Sequence, residues 1–583
     1  MLHQIVKYAE DHGLMAEPGF AVKQVRWSLA FDKQGEFRSV NLLDVENKKG
    51  RSIPGCPDFS FSEMKAGGVT KAHFLVESAE VVGLYGKKGD DAKVKAKHEY
   101  FLGLLEKAAE ALPVLAAVAR QLARPETLAR VQELMQENKV KPTDKVTIQV
   151  GDDLVVEQDS WHDWWRGFRA RLAPAGKQKG KGKGKKTAKQ TLMRDLITGE
   201  LVEPVKVHFK IKGLAGVGGQ SSGDAFISFK QQSFRSFGLE QSLNSPVSEE
   251  TMNTYVETLN ALVREKSRHL AGALVVYWYQ KDVPRDEDPL DFLENPEEED
   301  PRAAERKEKR AELQVAKLLQ AIRKGERPDL MDNHYFALTL NGAAGRVMVR
   351  DWMEGPFPEL VENINAWFDH LAIVHRQGGV LAPPPKMMAV LGSTVRDLKE
   401  LEPPFIARMW RVAVRGEPIP RSALARALRR ATMNVMTDQA PRHAGLGLLK
   451  AYLIRKGDEN MSAYLNEDHP QPAYHCGRLM AVYAQLQYSA LGDVGAGVVQ
   501  RYYASASATP ALVLGRLARL GQFHLNKLEG GLPRWYEELL ANIWSRLGDD
   551  IPKTLDLDGQ TLFALGYYQQ MANLRTKKQD QAD

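Results

Sequence analysis

The stretch YFALTLNGAAGRVMVRD, residues 335–351, decides the fold class. Tyr335–Leu340 and Arg346–Asp351 each alternate along the chain, the period of half-buried strands. Asn341-Gly342 between them is a hairpin-turn signal, because both residues tolerate positive φ. After Pro356 the apolar residues switch to helical spacing and keep it. Pro383-Pro384-Pro385 marks a break. Beyond it, helices are predicted at about 403–414, 421–435, 446–455, 474–490, 495–506, 510–527, 533–546 and 559–576, separated by Pro or Gly. The fold class is therefore α+β: a mixed N-terminal region with β-hairpins and helices, followed by an all-α helical bundle.

Working back from residue 335, residues 282–312 are an acidic linker leading into a helix. Asp286–Asp300 is dominated by Asp and Glu, with Pro289 and Pro296 inside it and Pro301 just after it. Residues 174–190, PAGKQKGKGKGKKTAKQ, hold seven Lys and four Gly. Such a segment cannot bury a core. It reads as a basic loop, either solvated or touching phosphates through Lys179, Lys181 and Lys183. Nearer the N-terminus, Val25–Phe31 and Phe37–Leu43 read as a hairpin, and Val146–Val150 with Leu154–Glu157 as a second. Ala72–Val76 and Glu80–Leu84 read as short strands. Helical spacing runs from about His98 to Asn138, with a separate helix from Pro125 to Gln136.

The whole chain has 583 residues, 43% of them hydrophobic, enough for several cored domains. Cys56 and Cys476 are its two cysteines, too few for a disulfide framework or a Cys-rich zinc module. The N-terminal stretch MLHQIVKYAEDHGLM carries charges every few residues, unlike a signal peptide, and no apolar run reaches the length of a membrane span. A cytoplasmic protein without membrane contact is expected. The net charge of +6 is small for this length, so any nucleic-acid contact must be local.

The residues 209–248, FKIKGLAGVGGQSSGDAFISFKQQSFRSFGLEQSLNSPVS, concentrate the unusual chemistry. Glycines let backbone N–H groups approach an anion, and Gln and Ser add neutral donors. No Gly-Lys-Ser/Thr follows, so this is not a phosphate-binding P-loop. Ala225–Phe229 reads as a strand. After it, Lys230, Phe234, Arg235, Phe237, Gln241 and Asn244 interleave cations, aromatics and amides, a pattern suited to nucleic acid and equally to a structural turn with two core phenylalanines. Trp161-His162-Asp163-Trp164-Trp165 reads as core. Arg408–Arg430 holds seven Arg against the single acid Glu417, and Arg426, Arg429 and Arg430 share one helical face suited to phosphates or an acidic partner. On another helix, Arg516 and Arg519, with Lys527 further along, form a smaller cationic face. No catalytic constellation, metal-ligand set or cofactor motif emerges.

The run KIKGLAGVGGQSSGDAFISF…SFRSFGLEQSLNSPVS resembles the signature region of the large subunit of the type I-C CRISPR Cascade complex. GVTKAHFLVESAEVVGL (68–84), YFALTLNGAAGRVMVRDW (335–352) and the segment YHCGRLMAVYAQLQYSALGDVGAGVVQRYYASASATPALVLGRLARLGQFHLNKL (474–528) resemble it too, in order along almost the whole chain. Lys230 departs from the Asn expected there. The resemblance implies a non-catalytic subunit that recognises the protospacer-adjacent motif in double-stranded DNA, promotes duplex opening and R-loop formation, stabilises the displaced strand and helps recruit the helicase-nuclease. Its implied partners are the CRISPR RNA, target duplex and displaced single strand, the Cascade backbone subunits, the guide-processing subunit at the 5′ end and the small subunits. Motif recognition would fall to Lys65, Lys71, Lys212, Gln220, Ser221, Ser222, Lys230, Arg235, Gln241 and Asn244. A metal-dependent nuclease and a purely structural bridging subunit are the alternative readings.

The expected organisation is a 1–380 α+β domain for motif recognition and docking, a 381–460 Arg-rich helical connector, and a 461–583 bundle resembling the small subunit. The resemblance further implies that this bundle is also made separately from an internal start. Met461, just after Lys456-Gly457-Asp458-Glu459-Asn460, suits that role better than Met480, which falls inside a helix.

Overall fold

The computed structural model describes residues 1–14, 17–45, 50–59, 63–64, 71–172, 192–235, 237–293, 313–437, 442–548 and 551–579. Lys65, Lys179, Lys181, Lys183, all of 174–190 and the acidic residues 294–300 lie outside the described residues. The chain forms two compact units, 1–212 with 222–261, and 213–221 with 262–583. The sequence boundaries near 380 and 460 both fall inside the second unit.

In the first unit, α1 (Leu2–Asp11) precedes β1 (Phe20–Val25), β2 (Trp27–Phe31), β3 (Phe37–Leu42) and β4 (Arg51–Pro57). β2 and β3 make the expected hairpin, with Gly35 at φ +86° in its turn. β5 (Glu77–Ser78) is followed at once by a helical turn, Ala79–Val82, so the expected strands at 72–76 and 80–84 do not form. Ala72, Phe74, Leu75, Val76, Val81 and Val82 are all buried, and a fully apolar run carries no period to tell strand from helix. Helices α2 (Ala92–Ala108), α3 (Val114–Leu122) and α4 (Pro125–Glu137) lead to β6 (Lys145–Val150), which pairs parallel to β2 and antiparallel to β5 and β7 (Asp153–Leu154). A 3-10 turn, Val155–Glu157, replaces the rest of the second hairpin strand. On α5 (His162–Leu172), Trp165 is fully buried with Trp161 just ahead of it, and Phe74 packs between them. The aromatic run is core, as its sequence suggests. Cys56 is buried here and Cys476 in the second unit, both as free thiols.

The short pairs β8 (Met193–Arg194) with β9 (Leu201–Val202), and β10 (Lys210–Ile211) with β11 (Asp224–Ala225), follow, then α6 (Glu249–Glu265). The expected strand at 225–229 ends after Ala225.

The second unit runs β12 (Ser267–Leu270), β13 (Ala273–Tyr279), β14 (His334–Ala343) and β15 (Arg346–Pro356), antiparallel and in that order. Alternate residues Val275, Tyr277, Tyr279, Ala337 and Met353 face the core formed with α7 (Phe357–Leu371) through Phe357, Leu360, Ile364 and Trp367. The turn between β14 and β15 is Ala344-Gly345, at φ +50° and +79°, three residues beyond the expected Asn341-Gly342. Then come α8 (Met387–Gly392), α9 (Pro403–Arg415), α10 (Arg421–Met436), α11 (His443–Arg455), α12 (Pro472–Leu491), α13 (Val498–Ala508), α14 (Pro510–Leu525), α15 (Leu532–Leu547) and α16 (Leu557–Gln579). Pro in the first turn of α9, α12, α14 and α15 sets the helical φ without losing a needed N–H. Among the described residues, no helix is long and apolar enough to cross a membrane.

The last helix has two apolar faces. Phe563 and Leu574 join a bundle core with α12 to α15, while Leu562, Leu565, Tyr568 and Ala572 join the larger core with α7 to α11. A polar clasp holds residues 458–471 onto α12 and α16. The Tyr474 hydroxyl donates to Gln569 Oε1 (2.5 Å), Gln569 Nε2 to the carbonyl of Ser462 (2.9 Å), and Arg478 to Gln570 Oε1 (2.9 Å) and the carbonyl of Glu467 (3.1 Å).

α12 and α16 touch backbone to backbone. A Cβ on Gly477 would lie 2.0 Å from the carbonyl oxygen of Phe563, and one on Gly566 would lie 2.0 Å from that of Tyr474. Neither neighbour can step aside alone, because each oxygen belongs to a helix. Gly477→Ala and Gly566→Ala should each cost about 3 kcal/mol or more, at the upper end of overpacking effects. Gly515→Ala, with open space around it, should instead stabilise by about 0.5–1 kcal/mol. Urea unfolding of the three variants, followed by circular dichroism, checks the contrast.

Candidate nucleic-acid interface

The Gly-rich segment is divided between the two units, Gly213–Ser221 in the second and the residues on either side in the first. In the second unit, Leu214 and Val217 are buried and anchor the loop from below. The N–H groups of Val217 and Gly219 both donate to the carbonyl of Leu214, at 3.0 and 2.9 Å, closing a tight turn with Gly218 at φ +86°. This turn lies directly on β14. A Cβ on Gly342 would stand 2.2 Å from Cα of Gly219, and one on Gly218 would stand 2.8 Å from the carbonyl oxygen of Gly342. Gly342 is therefore a contact residue within a strand, not a turn residue. Nearby, a Cβ on Gly345 would stand 3.1 Å from Nε2 of Gln220, so that side chain rests against the true hairpin turn. Gln220 and Ser221 are exposed at the end of this anchored loop.

In the first unit, β10 and β11 pair Lys210 with Ala225 and Ile211 with Asp224. Gly223, at φ +88°, closes that pair. The N–H of Lys212 donates to Oδ1 of Asn260 on α6 (2.8 Å), which leaves its exposed side chain directed by a fixed backbone. Ser222 is exposed, with its hydroxyl 3.5 Å from Nζ of Lys210. Below them His208 bonds the Tyr255 hydroxyl (2.5 Å), and burial pushes the imidazole down to about 4, so it is neutral near pH 7.

Beyond β11 the chain runs through two single 3-10 turns, Gln232–Arg235 and Gln241–Asn244. Lys230 and Arg235 are exposed. Phe234 packs edge-on to Phe229 (5.4 Å), whereas Phe237 is 89% exposed. Phe237 is not a core residue, and its interleaving with cations is the only hint of this in the sequence. Gln241 is exposed and held at φ +52°, an uncommon conformation for a residue with a side chain. Asn244 spends its amide on its own turn, donating to the carbonyls of Gln241 (3.2 Å) and Leu239 (3.5 Å).

A carboxylate fastens the far end of this segment. Asp195 accepts from the N–H groups of Ile197 (2.8 Å), Thr198 (3.2 Å) and Ser248 (2.8 Å). Burial alone would raise its pKa, but these three donors win and hold it below the usual carboxylate range.

The remaining sequence-derived residues are dispersed. Lys71 is only 9% exposed; its ammonium donates to the carbonyl of Glu63 (2.6 Å) and stands over the Phe59 ring (5.5 Å). Arg426 lies over the Phe405 ring (4.5 Å), Arg429 is exposed and Arg430 is half-buried. Of the wider Arg run, Arg411 pairs with Asp351 and Arg415 donates to the carbonyl of Glu354, so both tie α9 to β15. Arg516 lies over Tyr502 (5.5 Å) and Arg519 is exposed, but α14 ends at Leu525 and Lys527 sits in the turn after it, not on the same helix.

Gly342→Ala should lift the loop from β14. Hydrogen exchange is expected to accelerate more than tenfold at the amides of Val217 and Gly219, with little change in the strand pairs between β13 and β14. Unchanged protection at both amides would mean that the contact does not hold the loop.

No curated protein matches this chain. A family model described as CRISPR-associated protein (Cas_Csd1) matches residues 2–575, nearly the whole chain. It spans the Gly-rich loop, the hairpin beneath it and the terminal bundle alike, and the chain therefore belongs to the Cas_Csd1 family, the large subunits of type I-C Cascade.

Proposed function

We propose that this subunit recognises the protospacer-adjacent motif in double-stranded DNA, promotes duplex opening and R-loop formation, steadies the displaced strand and helps recruit the helicase-nuclease. The reading is carried by the anchored loop 213–221. Its backbone is seated on the β14–β15 hairpin while Gln220 and Ser221 remain exposed. Neutral amides and hydroxyls on a rigid support suit base edges, whereas cations mainly fix the protein on phosphates. In the first unit, Lys212, Lys230 and Arg235 offer exposed cations, and Phe237 an exposed ring able to stack on an unpaired base or wedge a base step. The same reading makes the CRISPR RNA, the backbone and guide-processing subunits and the small subunits its partners, with sequence recognition delegated to base pairing.

The motif reading is tested on assembled Cascade against a set of duplexes that differ only in the motif. Gln220→Ala with Ser221→Ala should flatten the preference by about 1–3 kcal/mol. Lys230→Ala with Arg235→Ala should weaken all duplexes alike and lower the salt slope by about one for each phosphate no longer neutralised. An unchanged preference in the first pair would remove the loop from motif recognition.

We also infer that translation starts internally at Met461 to give residues 461–583. The clasp supports this start. It joins residues 462–469 to α12 and α16, all within that product. A start at Met480 would delete Tyr474 and Arg478, the partners of Gln569 and Gln570, together with the first turns of α12. Mass spectrometry of the expressed locus should find a species beginning at Met461 that disappears in Met461→Ala. A short species beginning at Met480, or none, contradicts this start.

A further inference from the structure

Within the second unit a cavity of about 290 Å3 is lined by Met388, Ala389, Gly392, Arg396, Leu398 and Arg442. A neighbouring recess shares Gly392 and Arg442 and adds Arg430 and Asn434 of α10. Among the described residues, three arginines thus line the two spaces and no carboxylate does. Arg442 donates one N–H to the carbonyl of Gly392 (3.2 Å), which positions a guanidinium with five donors at the cavity wall.

The start of α11 carries no anion of its own, and the nearby Glu400 carboxylate accepts from the backbone N–H of Arg396 (3.3 Å). Arg442 occupies the N-cap of the 13-residue helix α11, with no side-chain cap and no acidic residue in the first turn. A helix start normally carries Ser, Thr, Asp or Asn there, because its N–H groups form the positive end of the dipole. Here a cation stands where an anion belongs, with Arg396 and Arg430 close to the same cavities. An anion in the cavity would meet Arg396, Arg442 and the start of α11 together. The rest of the wall is apolar, formed by Met388, Ala389 and Leu398. The cavity volume lies at the lower edge of small-ligand sites, about 300–1,000 Å3.

We propose that this cavity holds one unstacked nucleotide of a single-stranded nucleic acid, its phosphate on Arg396, Arg442 and the start of α11, its base against Met388 and Leu398. A duplex keeps its bases stacked and cannot offer one to the apolar wall. The inference rests on the reading of the chain as a nucleic-acid-handling subunit but not on its motif readers. A free mononucleotide has the same chemistry, and the test separates the two.

The purified full chain is titrated with a fluorescent single-stranded oligonucleotide that carries no motif, and with its duplex. Arg396→Gln with Arg442→Gln should weaken single-strand binding at least tenfold. Ala389→Trp, at an exposed rim position, blocks the space without removing charge and should weaken it similarly while leaving duplex binding within twofold. Leu398→Glu, also exposed, is the second steric and electrostatic variant, and Arg534→Gln on α15 is the control expected to change nothing. Full single-strand affinity in both Ala389→Trp and Leu398→Glu, with melting temperatures unchanged, overturns the proposal. Equal losses for single strand and duplex reduce the site to general surface charge and also overturn it. Competition by a free deoxynucleoside monophosphate, abolished by Ala389→Trp, would reassign the cavity to a free nucleotide. Because the probe lacks the motif, lost motif preference in the Gln220 and Ser221 variants leaves this result standing.

Discussion

The second unit presents its Gly-rich loop through a contact in which no side chain takes part. Gly218 and Gly219 lie on Gly342, peptide against peptide, and the spacing is set by the van der Waals radii of main-chain atoms. A side chain can rotate away from a neighbour, but a strand held in a ladder on both edges cannot. The height of the loop above the sheet is therefore fixed by β13, β14 and β15 rather than by the loop itself. The buried Leu214 and Val217 prevent it from lifting, and Gln220 inherits its place from both constraints. A side chain carried in this way would lose little entropy on meeting a ligand, because its support is ordered beforehand.

The α+β class and, among the described residues, the eight helices from residue 403 on are legible in the sequence because each helix carries its own punctuation. Proline opens several of them, glycine follows α9, α12 and α15, and the apolar residues between keep one period. The β14–β15 pair is equally legible, but not its turn. Asn341-Gly342 has the stronger local preference, yet the structure uses Ala344-Gly345, because Gly342 is required where the loop lands. Local preference is worth less than a backbone contact that admits no Cβ. The same limit explains the site. Exposure of Phe237, burial of Lys71 and the self-bonded amide of Asn244 depend on neighbours distant in sequence or on turn geometry, which composition does not encode. The cavity beside Arg442 draws on residues from 388 to 442, and no single motif spans them.

The net charge of +6 conceals a division of labour among the arginines. Arg411 and Arg415 bind α9 to β15 and are structural. Arg455 is also structural: it crosses the Trp367 ring and donates to the carbonyls of Val412 and Glu417, and burial pulls its pKa down to about 10. Arg396, Arg429 and Arg519 are exposed. A guanidinium that spends its donors on carbonyls is a rivet, and one that keeps them is available to a phosphate. Counting cations along the chain cannot separate the two.

The glycine pair of α12 and α16 has a mechanical consequence. Two helices separated by side chains can slide past one another by small shear steps, since the side chains change rotamer to absorb the motion. Gly477 and Gly566 remove that cushion. Sliding along the axis would bring side chains of the adjoining turns on the same face, such as Ala473 or Leu562, toward the opposing main chain, so the two helices are keyed like a bolt in its slot. A displacement of one helix is therefore passed to the other rather than absorbed between them.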